Sequence, residues 1–282
     1  MQILDGKATA KQARDEIAVE VASLKNSGKE VSLAVILVGN DPASATYVGA
    51  KEKACEAVGI RSVVHRLNEN VSQSELLALI NVLNLDAGID GILVQLPLPK
   101  HIDEDVITQA IAAEKDVDGF GAASVGRLWS GLASFVPCTP LGVMYLLEKY
   151  SIELTGLNAV VLGRSNIVGK PMAALLLAAN ATVTIAHSHT KNLKQICQNA
   201  DIIVVAIGRA NFLSADMVKD GAIIIDVGIN RLENGKLTGD VAYDEVAKKT
   251  SYITPVPGGV GPMTIAMLLK NTLAAAKARG KR

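Results

Sequence analysis

Two kinds of hydrophobic pattern alternate along this chain, and the alternation occurs twice. Ile17, Val21 and Leu24 mark one face of a first helix, spaced for a period near 3.6 residues. The run "VSLAVILVG" (31–39) follows, almost wholly apolar, and ends at the turn "NDPAS". A helix carrying Tyr47 and Lys51 comes next, then a strand at "RSVVHRL" (61–67). Ser72 and Glu75 have the spacing of a capping box and open the helix "LLALINVLN". "GILVQLPLP" (91–99) reads as a third strand, stopped by two prolines that cannot donate to a ladder. Strands this uniformly apolar, separated by helices, predict a parallel sheet covered on both faces.

The segment "DVDGFGAASVGRLWSGLASFVPCTP" (116–140) breaks the rhythm. Rich in glycine and serine and poor in periodicity, it is expected to be an irregular connection that lines a cleft between two domains. Thr139-Pro140 suits the cap and first turn of a helix "LGVMYLLEKY". The second set then runs strand "NAVVLG", helix from Val168, strand "ATVTIAH", helix from Thr190, and strands "DIIVVAIG" and "GAIIIDVG". Asn234-Gly235 signals a hairpin. After "TPVPGGVGP" an apolar helix (263–277) closes the pattern.

Composition narrows the partners. The 282 residues suggest two domains, at roughly 150 residues each. Lys plus Arg equals Asp plus Glu, 28 against 28, and the short basic tail "KARGKR" reads as a solvated end, so nucleic acid is disfavoured as the main partner. No apolar run approaches the ~18 residues of a membrane span, and the N-terminus lacks the order of a signal peptide. Cys55, Cys138 and Cys197 lie far apart with no CxxC spacing, which argues against a disulfide framework or structural zinc and points to a reducing, cytoplasmic setting.

"VVLGRSNIVGKP" (160–171) lies where a strand hands over to a helix. Backbone N–H groups and a helix N-terminus there suit a phosphate. The three glycine positions of a dinucleotide fingerprint hold Gly163, Ser165 and Val168, with Gly169 one step late, so the motif rests on its strand–turn–helix context. The next strand ends "AHSHT" (186–190) without the usual ribose-binding carboxylate. Arg164 and Ser188 can instead donate to a 2′-phosphate, which favours NADP over NAD; a solvated arginine is the bland alternative. His187 and His189 alternate on a strand, but no third ligand is apparent and no metal is expected. The expected fold class is therefore α/β: two α/β domains with parallel-type sheets, the second a Rossmann-like dinucleotide-binding domain, and an active-site cleft between them. Residues 1–120 with the C-terminal helix 263–282 form the first domain and 139–262 the second.

In the first domain, Tyr47 and Lys51 stand one helical turn apart on one face. That spacing fits a solvated helix face as well as a catalytic pair. Gln95 is more telling, because a polar residue ending a buried strand needs a partner. Strand ends at the carboxyl edge are where open α/β sheets hold ligands.

Six motifs occur in order: "YVGAKEKACEAVGI", "GILVQLPLP", "KDVDGF", "LGRSNIVGKPM", "DVGIN" and "TPVPGGVGPMT". Through them the chain resembles, end to end, the bifunctional methylenetetrahydrofolate dehydrogenase/methenyltetrahydrofolate cyclohydrolases of folate one-carbon metabolism. The resemblance implies oxidation of 5,10-methylenetetrahydrofolate with NADP, then hydrolysis of the methenyl cation to 10-formyltetrahydrofolate, a step towards purine biosynthesis. It implies a catalytic Lys51, for which desolvation beside a cation can make a base, and Gln95 as its neutral partner. It also implies Tyr47 as the ring stacked on the folate, and Asp118 as the carboxylate gripping the pterin, with Asp116 structural. Pro257, Gly258 and Gly259 would line the folate end, where glycine admits close approach. Gly163, Arg164, Ser165, Ser188 and Ile229 would hold NADP. Ser44 would touch substrate or cap its helix. A homodimer joined through the nucleotide domain and its 230–238 hairpin is implied too.

Two stretches depart from that family. His-Pro-x-Asn-x-Gly is replaced by Gly121-Ala122-Ala123-Ser124-Val125-Gly126, which should leave Asp118 intact on a smaller loop. His189 stands where many relatives have Lys or Arg, shifting the phosphate's recognition onto Arg164 and Ser188. Three other readings remain open from sequence: a dehydrogenase-only relative, an NADP dehydrogenase of another small acid, and a nucleotide-sensing module without catalysis.

Overall fold

The computed structural model describes residues 1–279. Two compact units emerge: one comprises Met1–Ala10 and Thr139–Thr264, the other Lys11–Cys138 and the chain from Ile265 onward. In chain order, β1 (Gln2–Ile3), α1 (Gly6–Asn26), β2 (Ser32–Val38), α2 (Pro42–Val58), β3 (Arg61–Leu67), α3 (Gln73–Leu85) and β4 (Gly91–Val94) come first. Then follow α4 (Glu104–Gln109), α5 (Ala122–Trp129) and α6 (Cys138–Lys149). The nucleotide-motif half holds β5 (Asn158–Leu162), α7 (Gly169–Ala178), β6 (Thr182–Ala186), α8 (Leu193–Gln198), β7 (Ile202–Val205) and β8 (Ile223–Asp226). It ends with β9 (Asn230–Arg231), β10 (Leu237–Thr238), α9 (Tyr243–Val246), β11 (Tyr252–Ile253) and α10 (Val260–Arg279).

The unit bearing Lys51 is built on a three-stranded parallel sheet in the order β3-β2-β4. Every residue of β2 is buried, as its unbroken apolar run requires. Ala34, Ile36 and Val38 of β2 pack with Leu76, Ile80 and Leu83 of α3 and with Ile92 and Val94 of β4. The capping box at Ser72 is complete: its hydroxyl accepts from the Glu75 N–H, and the Glu75 carboxylate accepts from the Ser72 N–H.

Two expectations for this unit are corrected. The third strand stops at Val94 rather than running to 99, because Pro97 and Pro99 offer no N–H to continue the ladder. The irregular connection expected over 116–140 contains the helix α5. Its start is held by a buried side-chain contact from the preceding turn, described below, that periodicity does not encode.

The other unit carries a six-stranded parallel sheet, ordered β1-β11-β8-β7-β5-β6. Side chains alternate across it: Ala159 and Val161 join one core with Met172 and Leu176 of α7, while Val160 and Leu162 join another with Ile203, Val205 and Ile224. Both faces are covered, as uninterrupted apolar strands predict. Leu4, fully buried in the first of these cores, ties the first residues of the chain to this unit. From β5 the chain moves to β6 on one side and then to β7 on the other. This reversal opens a crevice at the carboxyl ends of β5, β6 and β7. The hairpin at Asn234-Gly235 forms, with β9 antiparallel to β10 and Gly235 at φ 80°.

Candidate active site

In the Lys51 unit, α2 is set by strong local signals. Asp41 is its N-cap, accepting from the Ser44 N–H at 2.7 Å, Pro42 occupies the first turn, and Gly59 ends the helix at φ 80°. Ser44 is therefore the capped residue, not the cap. Tyr47 and Lys51 follow one turn apart, with Tyr47 45 % exposed, so its ring faces are accessible for stacking.

The Lys51 ammonium donates to Gln95 Oε1 at 3.0 Å, across 44 residues of sequence. The Gln95 amide nitrogen donates to the Leu96 carbonyl at 2.6 Å, which turns its oxygen towards Lys51. Gln95 stands one residue past β4, its N–H still bonded to the Ile36 carbonyl of β2. A short strand extension and a capped helix thus fix both partners. Desolvation dominates at Asp118 and raises its carboxyl above the usual range, against the opposing positive charge of Lys51; the Cys138 thiol beside it donates to the Val117 carbonyl at 3.4 Å. Burial likewise pushes the Cys138 thiol well up, with the Asp118 charge adding to it.

Asp116 builds the turn that carries Asp118. It is almost wholly buried; one oxygen accepts from the N–H groups of Gly119 and Phe120 at 3.1 and 3.2 Å. The other accepts from the Gly121 N–H at 2.9 Å and the Ser124 hydroxyl at 2.8 Å. The residues that depart from the family's His-Pro-x-Asn-x-Gly thus complete a buried carboxylate clamp and launch α5. Gly119 at φ 72° is needed there, since a Cβ would lie 2.8 Å from the Pro137 nitrogen. Asn271 of α10 fastens the preceding residue, donating to the Val117 carbonyl at 2.8 Å and the Val136 carbonyl at 3.1 Å. Cys138 and Asn271 were missed in the sequence. A lone asparagine inside the apolar run of α10 was the available signal.

In the other unit, Gly163 stands at φ 122°, and a Cβ there would meet the Ala206 carbonyl at 2.3 Å. Gly169 opens α7 and packs so closely that a Cβ would lie 2.2 Å from the Gly163 carbonyl. The late glycine of the motif therefore performs the close helix–strand packing of the third fingerprint glycine. Ser165 Oγ accepts from the N–H groups of Val168 at 3.1 Å and Gly169 at 3.3 Å, and the N-cap Val168 supplies no side-chain bond. A cavity of about 340 Å³ opens beside this turn, lined by Gly163, Arg164, Ser165, His187, Ser188, Arg209 and their apolar neighbours. Two arginines and no carboxylate face it among the described residues. Its glycine turn, helix N-terminus and cations fit a dinucleotide with an added 2′-phosphate. Arg209, in the loop that follows β7, was not singled out from sequence; its signal was a cation past the carboxyl edge beside the switch point.

The remaining expected site residues lie elsewhere in this unit. Ile229 is 46 % exposed after β8, near Gly261, and is not among the cavity-lining residues. Pro257 is exposed and Gly259 buried. The Gly258 carbonyl accepts from the Lys7 N–H at 2.9 Å, and a Cβ on Gly6 would lie 1.7 Å from the Gly259 carbonyl. The close approach permitted by these glycines thus includes the chain's own backbone. His187 and His189 lie 6.0 Å apart, ring to ring, and no group of three metal-ligating side chains occurs among the described residues.

Residues 4–118 match the catalytic-domain model of the tetrahydrofolate dehydrogenase/cyclohydrolase family, and residues 137–280 match its NAD(P)-binding-domain model. The chain belongs to the tetrahydrofolate dehydrogenase/cyclohydrolase family. The resemblance carried by the six motifs is borne out. The bifunctional protein FolD of Campylobacter concisus is 68 % identical over 279 residues, covering 99 % of both chains. The crystal structure of the bifunctional FolD methylenetetrahydrofolate dehydrogenase/cyclohydrolase from Campylobacter jejuni superposes with a TM-score of 0.98 at 58 % identity, covering 99 % of each chain. The Trypanosoma brucei enzyme, solved with NADP cofactor and inhibitor, gives a TM-score of 0.95 at 40 % identity, covering 100 % of this chain and 99 % of its own. With respect to these family members, Lys51, Gln95 and Asp118 fall in the catalytic domain, and the 340 Å³ cavity falls in the NAD(P)-binding domain.

Proposed function

We propose that the Lys51–Gln95 pair is the chemical centre of this enzyme. The chain is a bifunctional, NADP-dependent 5,10-methylenetetrahydrofolate dehydrogenase and 5,10-methenyltetrahydrofolate cyclohydrolase of folate one-carbon metabolism. Bound NADP supplies an acceptor for the hydride that leaves the methylene carbon bridging N5 and N10. Gly163, Ser165, Arg164 and Ser188 are the residues proposed to hold it, with Ile229 proposed on the nicotinamide side.

Loss of hydride leaves a methenyl carbon with delocalised positive charge, and water adds to it. Lys51 removes a proton from that water as its oxygen bonds to carbon. The carbon–N5 bond then breaks, N5 takes a proton, and the second proton goes to solvent, leaving the formyl group on N10. Gln95 orients the amine through its carbonyl oxygen. Being neutral, it does so without the charge that would hold the ammonium form. Asp118 accepts the paired N–H groups of the pterin's 2-amino group and ring nitrogen, and Tyr47 offers a flat surface to the folate. Pro257, Gly258 and Gly259 are proposed to line the folate end, with Pro257 exposed, Gly258 half-buried and Gly259 packed behind them. The 3.0 Å contact between Lys51 and Gln95 carries this reading, because two polar groups so distant in sequence are held together at a carboxyl-edge strand end.

A cytoplasmic location fits three buried, unpaired cysteines and the lack, among described residues, of any helix long and apolar enough to cross a membrane. A homodimer is the proposed assembly, joined through the nucleotide-binding unit and the β9–β10 hairpin. The activity is tested by adding methylenetetrahydrofolate and NADP and following the absorbances of NADPH and methenyltetrahydrofolate together. NADPH should rise with little methenyl accumulation beyond that present before hydrolysis catches up. A stable one-to-one rise of both would identify a dehydrogenase without cyclohydrolase activity.

A further inference from the structure

Asp240 is fully buried and spends its charge on four neutral donors. Its Oδ2 accepts from the N–H groups of Ile207 at 2.7 Å and Gly208 at 2.9 Å. Its Oδ1 accepts from the Arg209 N–H and the Asn230 amide, both at 2.9 Å. Burying a carboxylate is costly unless its lone pairs are filled, and here three consecutive backbone N–H groups of one loop fill them. Gly208 at φ 66° lets that loop curl around the anion. With its N–H groups turned onto Asp240, the loop addresses the cavity through side chains, and Ile207 and Arg209 both line it.

Arg209 is itself pre-arranged. Its guanidinium carbon lies over the Phe212 ring, 4.8 Å from the centroid, and Phe212 lines the same cavity. A guanidinium with one face on an aromatic ring leaves its other face for a second flat group. The sheet order separates the polar groups: Arg164 and Ser188 follow β5 and β6, whereas Arg209 follows β7 on the opposite side of β5. The cavity is thus bounded by phosphate-type donors on one side and by a stacked, planar cation on the other.

Resting on the NADP reading above, we propose that Arg209 is a cofactor-contacting residue that stacks on the adenine of NADP, and that Asp240 is its positioning residue. The adenine is common to NADP and NAD, so Arg209 contributes to affinity for both, while Arg164 and Ser188 contribute to the choice between them. Asp240 touches no ligand and acts only through the loop it holds.

The test is calorimetric titration of wild type, Arg209→Ala, Asp240→Asn and the double variant with NADP and with NAD, alongside the unfolding midpoint of each ligand-free protein. Arg209→Ala should weaken both nucleotides by the same factor, about tenfold. Asp240→Asn places an amide N–H₂ against the loop's donors and should weaken both to a similar degree. The double variant should bind no more weakly than the worse single variant, because both changes act through one side chain. Affinity unchanged within twofold in Arg209→Ala would overturn the proposal; so would loss confined to NADP, which would make Arg209 a phosphate contact. Additive losses in the double variant would remove Asp240 as a positioning residue. Should Asp240→Asn fail to fold, the Arg209→Ala titrations decide alone. Wild-type protein that binds neither nucleotide would instead overturn the cofactor reading itself.

Discussion

A neutral amide beside Lys51 is a chemical choice as much as a structural one. Gln95 holds the amine at 3.0 Å without contributing a charge. A carboxylate of the same shape would hold the proton on nitrogen, in the form that cannot accept one from water. Gln95→Glu is accordingly expected to depress hydrolysis of methenyltetrahydrofolate about tenfold or more near neutrality and to move its pH profile towards alkali. A profile that keeps both its height and its midpoint would show that the amide's neutrality is irrelevant. At this scale the sequence was only partly legible. The Tyr47–Lys51 spacing was compatible with any solvated helix, and no local rule joins position 51 to position 95. Their contact depends on β4 pairing with β2, the strand that leads into α2, so family motifs rather than periodicity named the pair. Asp116 was legible as structural, but the reason, four donors gathered from 119 to 124, depends on the folded turn.

Elements were legible where local signals and tertiary packing agree. The all-buried strand β2, the capping box of α3 and the Asn-Gly hairpin all follow from local chemistry. α5 was missed because its Gly/Ser-rich sequence has weak propensity and its start is held by the buried Asp116 carboxylate in the turn before it, a contact with no periodic signature. The two-residue strands β1 and β11 were missed because their identity lies in pairing with a neighbour, and such short runs have no period to read. The loops around β8 make one element-scale prediction. Asp226 accepts from the N–H groups of Gly228, Asp240 and Val241, yet burial, with the Asp240 charge adding to it, raises its carboxyl to about 6. A carboxyl raised above its unfolded value binds more protons in the folded state between about pH 4 and 6. Its stabilisation is full below about pH 4 and is lost as pH rises through 6, by up to about 3 kcal/mol. Urea midpoints of wild type measured against Asp226→Asn should therefore show the wild type losing ground across that window. Parallel pH dependences for the two proteins would refute the assignment.

For the whole molecule, the family's division into a catalytic and an NAD(P)-binding domain has a physical counterpart in two separately packed α/β units. The first ten residues pack with the nucleotide-binding unit, where Leu4 is buried. The parallel strands and the glycine turn made both units' class readable in sequence, whereas membership of a two-residue edge strand was not. Each unit carries its own chemistry: Lys51, Gln95 and Asp118 in one, the arginine-lined cavity in the other. Hydride transfer requires the nucleotide, whereas hydrolysis is a reaction of substrate and water, for which Lys51 is the proposed base. The central claim is that Lys51 is the base of the hydrolytic step, and its most direct test is the decay of methenyltetrahydrofolate absorbance with Lys51→Met, a substitution that keeps the length of the stem. The variant is expected to bind NADP as wild type does and to lose at least about 100-fold in hydrolysis. Hydrolysis at the wild-type rate would contradict the account.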